Sequence, residues 1–159
     1  MLPELQPTAA AFALNDWLLE RLVEDFTPAD WAAQDACGHD PRWIVGHLAT
    51  YRRRVLALIG PPVEPLDWEA SFARGRGSAD LPPDLEMLEV VSAFHAAQAA
   101  LAGRWEGLAP EALARATGRR LPDGSEDVGG AIRFLAWHET YHLGQLGLLR
   151  RLAGKPGVA

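Results

Sequence analysis

The sequence predicts an all-α fold, a four-helix bundle in up-down-down-up order with a long crossover between the second and third helices. Three observations carry this. Four long segments repeat apolar residues at helical spacing, no segment alternates as a half-buried strand would, and a proline- and glycine-rich linker separates the second segment from the third. Segments of roughly 17–27 residues span about 25–40 Å at a rise of 1.5 Å per residue. Four of them in 159 residues leave room for little besides one bundle domain, residues 1–159.

The first helix is expected from about Ala9 to Asp25, with Thr8 as its cap and Phe12, Leu14, Leu18, Leu19, Leu22 and Phe26 as its apolar stripe. The second opens at "DPRW". Asp40 suits the N-cap and Pro41 the first helical position, where a missing N–H costs nothing. It stops at Gly60-Pro61-Pro62, after Ile59. The third opens at "PPDLEML", capped near Asp84, and runs to about Glu106. A linker over 61–82 is long enough to travel back along a helix, so the second and third helices can run parallel. The stretch "GRRLPDGS" within 107–125 carries turn residues and predicts a small hairpin. The fourth helix opens near "GSEDVGG" and ends at about Leu152, before Gly154 and Pro156. Arg150, Arg151 and Lys155 suit the negative end of its dipole.

Composition narrows the function. With 48% apolar and 23% charged residues the chain is an ordinary globular one. No apolar run approaches the ~20 residues a membrane span needs, so no membrane role is expected. The acidic N-terminal segment lacks a basic leader, and Cys37 is the single cysteine, so a cytoplasmic location is expected. A net charge of −6 argues against nucleic acid as a partner. The run Arg52-Arg53-Arg54 reads as a solvated helix side.

The chemistry concentrates in "WHETYHLGQLGLLR", residues 137–150. His138-Glu139-Thr140-Tyr141-His142 matches H-E-x-x-H, in which two imidazoles one helical turn apart share a zinc ion. At about 100° per residue, His142 lies about 40° from His138, with Ala131 and Leu149 at about 20° and Gln145 at about −20°. Both histidines are therefore expected within the buried apolar stripe. Polar groups there need a partner, because each one left unsatisfied costs roughly 1–3 kcal/mol. Glu139, about 100° away, points off the metal face and is expected in a salt bridge or supporting the ligands.

A zinc protease of this type would take its third ligand downstream. Gln145 and Leu148 stand where the extended motif wants glycine and histidine, and no acidic residue or histidine follows His142. The protease reading is therefore set aside, and the third ligand must lie upstream. The candidates are His39, His47 and His95, with Cys37 beside them. His47 sits at the edge of its helix's inward face, flanked by Trp43, Tyr51 and Arg54. His95 is expected to be structural or to support the site. His39 and Cys37 are expected to be exposed, near it.

"VGHLATYRRRVL" together with "FLAWHETYHLGQLGLLR", and "LPDG" before the last helix, resembles the DinB/YfiT-like family of small four-helix bundles over essentially the whole chain. The resemblance implies the up-down-down-up order and one divalent metal held by His47, His138 and His142. Part of that family resembles S-transferases or isomerases that use a low-molecular-weight thiol cosubstrate in place of glutathione; others are described as metal-dependent hydrolases. The resemblance also points to a homodimer.

Three neutral imidazoles leave an open position on the ion, where a water or a thiol can ionise near neutral pH. The expected function is thus a divalent-metal-dependent transferase or hydrolase acting on a small-molecule substrate. The alternative is a non-catalytic metal-binding bundle of a stress response. Zinc or nickel is expected, with iron or manganese as alternatives; an all-histidine donor set suits zinc, nickel, copper or iron(II) and does not choose among them. Trp43, Tyr51, Arg54, Tyr141 and Gln145 are expected around the ion, with Arg54 able to hold a carboxylate. The back of the last helix carries Ala136, Thr140, Gly144 and Gly147 with Ile132, Leu143 and Leu148, a surface on which a second copy could pack.

Overall fold

The computed structural model describes residues 1–35, 38–73 and 75–158. Cys37, expected near the site, lies outside them. Four long helices, α1 (Gln6–Val23), α3 (Pro41–Ile59), α4 (Met87–Arg104) and α6 (Val128–Leu152), form the bundle, and two short ones, α2 (Pro28–Trp31) and α5 (Pro110–Ala114), sit in its connections. No strand occurs among the described residues. The predicted hairpin is present in miniature: Ala116 and Asp127 form one antiparallel bridge, and the Thr117 N–H donates to the Glu126 carbonyl at 2.8 Å.

Helix starts follow cap chemistry. Asp40 is extended and its carboxylate accepts from the Trp43 N–H at 2.9 Å, with Pro41 as first helical residue. Asp127 caps α6 in the same way through the Gly130 N–H. Two starts depart from expectation. α1 begins earlier, at Gln6 with Pro7 in its first turn, so Thr8 is buried inside the helix instead of capping it. α4 begins later, at Met87, because the chain makes a turn after Pro82, whose carbonyl accepts from the Leu85 N–H. Leu14, expected in the α1 stripe, is exposed.

Side-chain contacts fix the directions. Asn15 meets Thr140 and Leu22 lies beside Arg150, so α1 and α6 run parallel. Arg52 meets Phe94 and Leu56 meets Arg104, so α3 and α4 run parallel too. Trp43 faces His142 while Tyr51 faces His138, so α3 opposes α6. Asp16 meets His95 and Phe12 meets Trp105, so α1 opposes α4. The order is up-down-down-up, and the segment between Ile59 and Met87 is the return crossover. Among the described residues no helix is long and apolar enough to cross a membrane.

The core is split by a polar layer. One apolar cluster gathers Leu19, Leu22, Leu48, Phe72, Phe94, Leu143 and Leu146; the other gathers Phe12, Val55, Leu101, Trp105, Ile132 and Ala136. Between them lie Asn15, Arg52 and Glu139, all buried. Arg52 is therefore no solvated side chain. Its guanidinium is 1% exposed, donates to Glu139 at 2.9 and 2.5 Å, to Asp16 at 2.7 Å and to the Phe12 carbonyl at 3.0 Å, and stacks 3.5 Å from the Phe94 ring centre. Four hydrogen bonds and two carboxylate partners are what make such burial tolerable. Arg53 also has a carboxylate partner, Glu69; only Arg54 of the three is exposed.

Candidate metal centre

The three histidines converge at the level of the polar layer, where α3 faces α6. His47 Nε2 lies 3.4 Å from His138 Nε2, which lies 3.1 Å from His142 Nε2. Their donor atoms form one group within 4.8 Å, and no other Asp, Glu, His or Cys joins it among the described residues. His47 is buried and both α6 histidines are half-buried. The sequence had placed His138 and His142 mid-stripe and His47 at an edge; burial is the reverse.

Two of the rings have fixed tautomers. A backbone carbonyl can only accept, so His47 Nδ1, 3.1 Å from the Phe72 carbonyl, carries its proton there. Gln145 Oε1, 2.7 Å from His142 Nδ1, holds that ring likewise. Both Nε2 atoms are then lone-pair acceptors aimed at His138. One proton on His138 Nε2 can serve only one of them, leaving a second acceptor facing nitrogen. A divalent cation satisfies all three. A tetrahedral ion with bonds of ~2.0–2.1 Å needs its nitrogens ~3.3 Å apart; the two separations to His138 Nε2 are close to that, and all three donors lie within 4.8 Å of one another. The residues present fit the metal.

The electrostatics agree. Burial pushes the His47 imidazole down to about 3 and His138 to about 4, and burial also lowers His142 against the opposing hydrogen bond from Gln145. All three are neutral ligands at pH 7. His138 Nδ1 is buried with no hydrogen-bond partner among the described residues, so that side of its ring is held by packing: Tyr51 lies at 5.1 Å and Phe134 at 6.1 Å between ring centres.

Aromatic side chains surround the three histidines. Trp43 stacks on His47 at 4.7 Å, and Tyr51 packs on the same ring at 4.4 Å. Arg54 lies 4.3 Å over the Tyr51 ring. Tyr141 is exposed beside His142, with its hydroxyl 3.4 Å from Gln145 Nε2. His39 lies against Trp43, ring centres 4.9 Å apart and tilted by 34°, but is no part of the ligand group. His95 is no part of the three-histidine group: its Nδ1 lies 2.9 Å from Asp16 Oδ1, which also accepts from Arg52. Glu139 makes the salt bridge expected of it. Burial raises its pKa and the Arg52 guanidinium opposes that. The glutamate that an H-E-x-x-H protease uses as general base is here committed to an arginine.

The sequence missed three contributors. Phe72 comes from the crossover, whose contacts no periodicity reports. Phe134 was available four residues before His138 on the same helix, the spacing that brings side chains together. Arg119 comes from the hairpin. With Tyr51, Arg54 and Leu58, both line a cleft of about 420 Å³ beside His138.

Residues 14–146 match the DinB superfamily. The chain belongs to the DinB superfamily. No curated protein matches it. Among solved structures, YfiT from Bacillus subtilis matches this DinB chain with a TM-score of 0.68 at 18% identity, over 98% of this chain and 91% of its own. That protein is described as a probable metal-dependent hydrolase with an unusual four-helix bundle topology. At this identity the likeness shows the fold.

Proposed function

We propose that the chain is a divalent-metal-dependent enzyme acting on a small-molecule substrate, with His47, His138 and His142 as the metal ligands. One observation carries the proposal: three neutral imidazoles present Nε2 to one point, two of them with Nδ1 already hydrogen-bonded elsewhere. An ion held this way supplies Lewis acidity at neutral pH, so that water (hydrolysis) or a low-molecular-weight thiol (S-transfer) reacts as its anion. The chain's own residues do the rest. The Phe72 carbonyl and Gln145 amide hold the ligand rings, support that in metal sites is worth about 10–100-fold in affinity. Trp43 and Tyr51 screen His47 from water, and Arg54 holds an anionic group at the rim.

The description of YfiT favours hydrolysis; a single cysteine and a cytoplasmic home suit thiol chemistry equally. Against a purely structural metal stands the three-ligand count, since structural zinc sites close with a fourth. We also propose a homodimer through the outer face of α6. Ile132, Leu143 and Ala136 are consumed inside the bundle, but Trp137, Tyr141, Gly144 and Leu148 remain exposed in one stripe.

The test is elemental analysis of untagged protein, wild type and His142→Ala, followed by turnover of ester, amide and thiol-plus-electrophile substrates with and without chelator. About one equivalent of metal, lost in the variant, and a chelator-sensitive rate are expected. A wild type that takes up no zinc, nickel, iron or manganese would end the proposal. Metal without turnover of any substrate would leave the stress-response binding module.

A further inference from the structure

We infer that the cleft beside His138 is a recognition site for a molecule with an apolar body and a carboxylate head, which Arg54 and Arg119 hold. This rests on the metal-centre reading only for the claim that the bound molecule is the substrate.

The cleft, about 420 Å³, is large enough for a molecule of one or two rings. Three elements build it: α3 gives Tyr51, Arg54, Ala57 and Leu58, the hairpin gives Thr117, Arg119 and Leu121, and α6 gives Ala131, Phe134 and Leu135. It lies one ring away from His138, because two of its lining residues, Tyr51 and Phe134, pack on that imidazole. Its walls are aliphatic and aromatic, and its charged lining residues are both arginines. Neither arginine has a carboxylate partner among the described residues, whereas Arg52, Arg53 and Arg150 each have one. An apolar cleft with two uncompensated guanidiniums selects an amphipathic anion, since each can bind a carboxylate through two parallel N–H groups.

The hairpin holds Arg119 in place. The Thr117 hydroxyl donates to the Arg119 carbonyl at 2.9 Å, Leu121 N–H donates to Ser125 O at 2.8 Å, and the Ala116–Asp127 bridge closes the base. A carboxylate is favoured over a phosphate by the state of the nearest amides. The N–H groups of Val128, Gly130 and Ala131, at the start of α6, are already bonded to Arg115 O, Asp127 Oδ1 and Asp127 O. They cannot form the amide cradle that helix N-termini offer to phosphates.

The experiment is equilibrium binding of naphthalene-2-carboxylate, 2-naphthyl phosphate and neutral 2-naphthamide, followed by tryptophan fluorescence and calorimetry. It uses wild type, Arg54→Gln, Arg119→Gln and His142→Ala, the last also with chelator. Both arginines are exposed, so the glutamine variants are expected to fold, which circular dichroism checks. The carboxylate is expected to bind about tenfold or more tightly than the amide, each arginine variant to lose most of that preference, and His142→Ala to keep it. Equal binding of carboxylate and amide, no saturable binding of the carboxylate, or a preference unchanged in both arginine variants would overturn the inference. Tighter binding of the phosphate would overturn the choice of head group. Loss of the preference in His142→Ala or with chelator would place the anion on the metal, overturning the arginine site while sparing the metal centre. An arginine-dependent preference in a protein that takes up no metal would sink the metal reading alone.

Discussion

Arg52 grips Glu139 with two hydrogen bonds, 2.9 and 2.5 Å, in the middle of the bundle and one residue from the candidate ligand His138. Breaking a buried pair from one side strands the other charge, which typically costs about 3–5 kcal/mol, whereas removing both groups costs far less. Arg52→Met and Glu139→Gln are each expected to destabilise by that order in urea unfolding. The double variant Arg52→Met/Glu139→Met is expected to recover part of the loss, though Asp16 also loses its arginine. Single variants as stable as wild type would mean that the polar layer does not organise the bundle.

That layer also explains what could be read in the sequence. The helix count, the caps at Asp40 and the parallel second and third helices follow from local rules: side-chain capping, proline placement and linker length. The stripe on α6 was centred wrongly. Taking His138 as zero, the buried Leu146, Ile132 and Leu143 lie at about 80°, 120° and 140°, so the core axis runs near Glu139 at about 100° and the histidines border it. A salt bridge was expected of Glu139, but its partner, Arg52, is distant in sequence and hidden in an arginine triplet read as solvated. The three-histidine cluster was legible for the opposite reason. Two histidines stand one turn apart on one helix, and the family resemblance singled out His47 among the upstream candidates, in agreement with its helical face. Phe72 and Arg119 reach the site from irregular segments, where spacing carries no geometry.

Acid should unfold the metal-free protein through its histidines first. An unfolded histidine titrates near 6.5, while burial holds His47 at about 3 and His138 at about 4. Below about pH 6.5 the unfolded chain therefore binds protons that the folded chain refuses. Stability is fully present above that pH and falls steadily as pH drops toward 4. Asp25, Asp30, Asp80 and Asp123, whose hydrogen bonds hold them below 3.8, add their own loss only below that range. Denaturation midpoints measured with chelator between pH 8 and 4 should show this limb, and His47→Gln should flatten it. A midpoint independent of pH down to about 4.5 would contradict the buried neutral triad.

Dimerisation should respond to a single charge on α6. Trp137, Tyr141 and Leu148 are 60%, 54% and 57% exposed and recur at helical spacing, with Gly144 between them permitting close approach. A two-fold interface would bring this stripe against itself. Light scattering at micromolar concentration is expected to give twice the chain mass for wild type and the chain mass for Leu148→Arg. A monomeric wild type would remove the proposal.

The most economical probe of the site is a methyl group. A Cβ added at Gly46 would overlap the Phe72 ring, which is fully buried and cannot swing aside. The same residue's carbonyl fixes the His47 tautomer. Gly46→Ala must therefore push the crossover away from α3 and loosen the proton anchor of one metal ligand without touching any ligand. Overpacking of this kind costs about 1–3 kcal/mol of stability. Loss of the carbonyl contact should weaken metal affinity by about 10–100-fold, measured by competition with a chromophoric chelator. Phe72→Leu added to Gly46→Ala makes room for the methyl and should restore both quantities in large part. If Gly46→Ala lowers stability but leaves metal affinity intact, the Phe72 carbonyl does not orient His47, and packing by Trp43 and Tyr51 holds the ring instead.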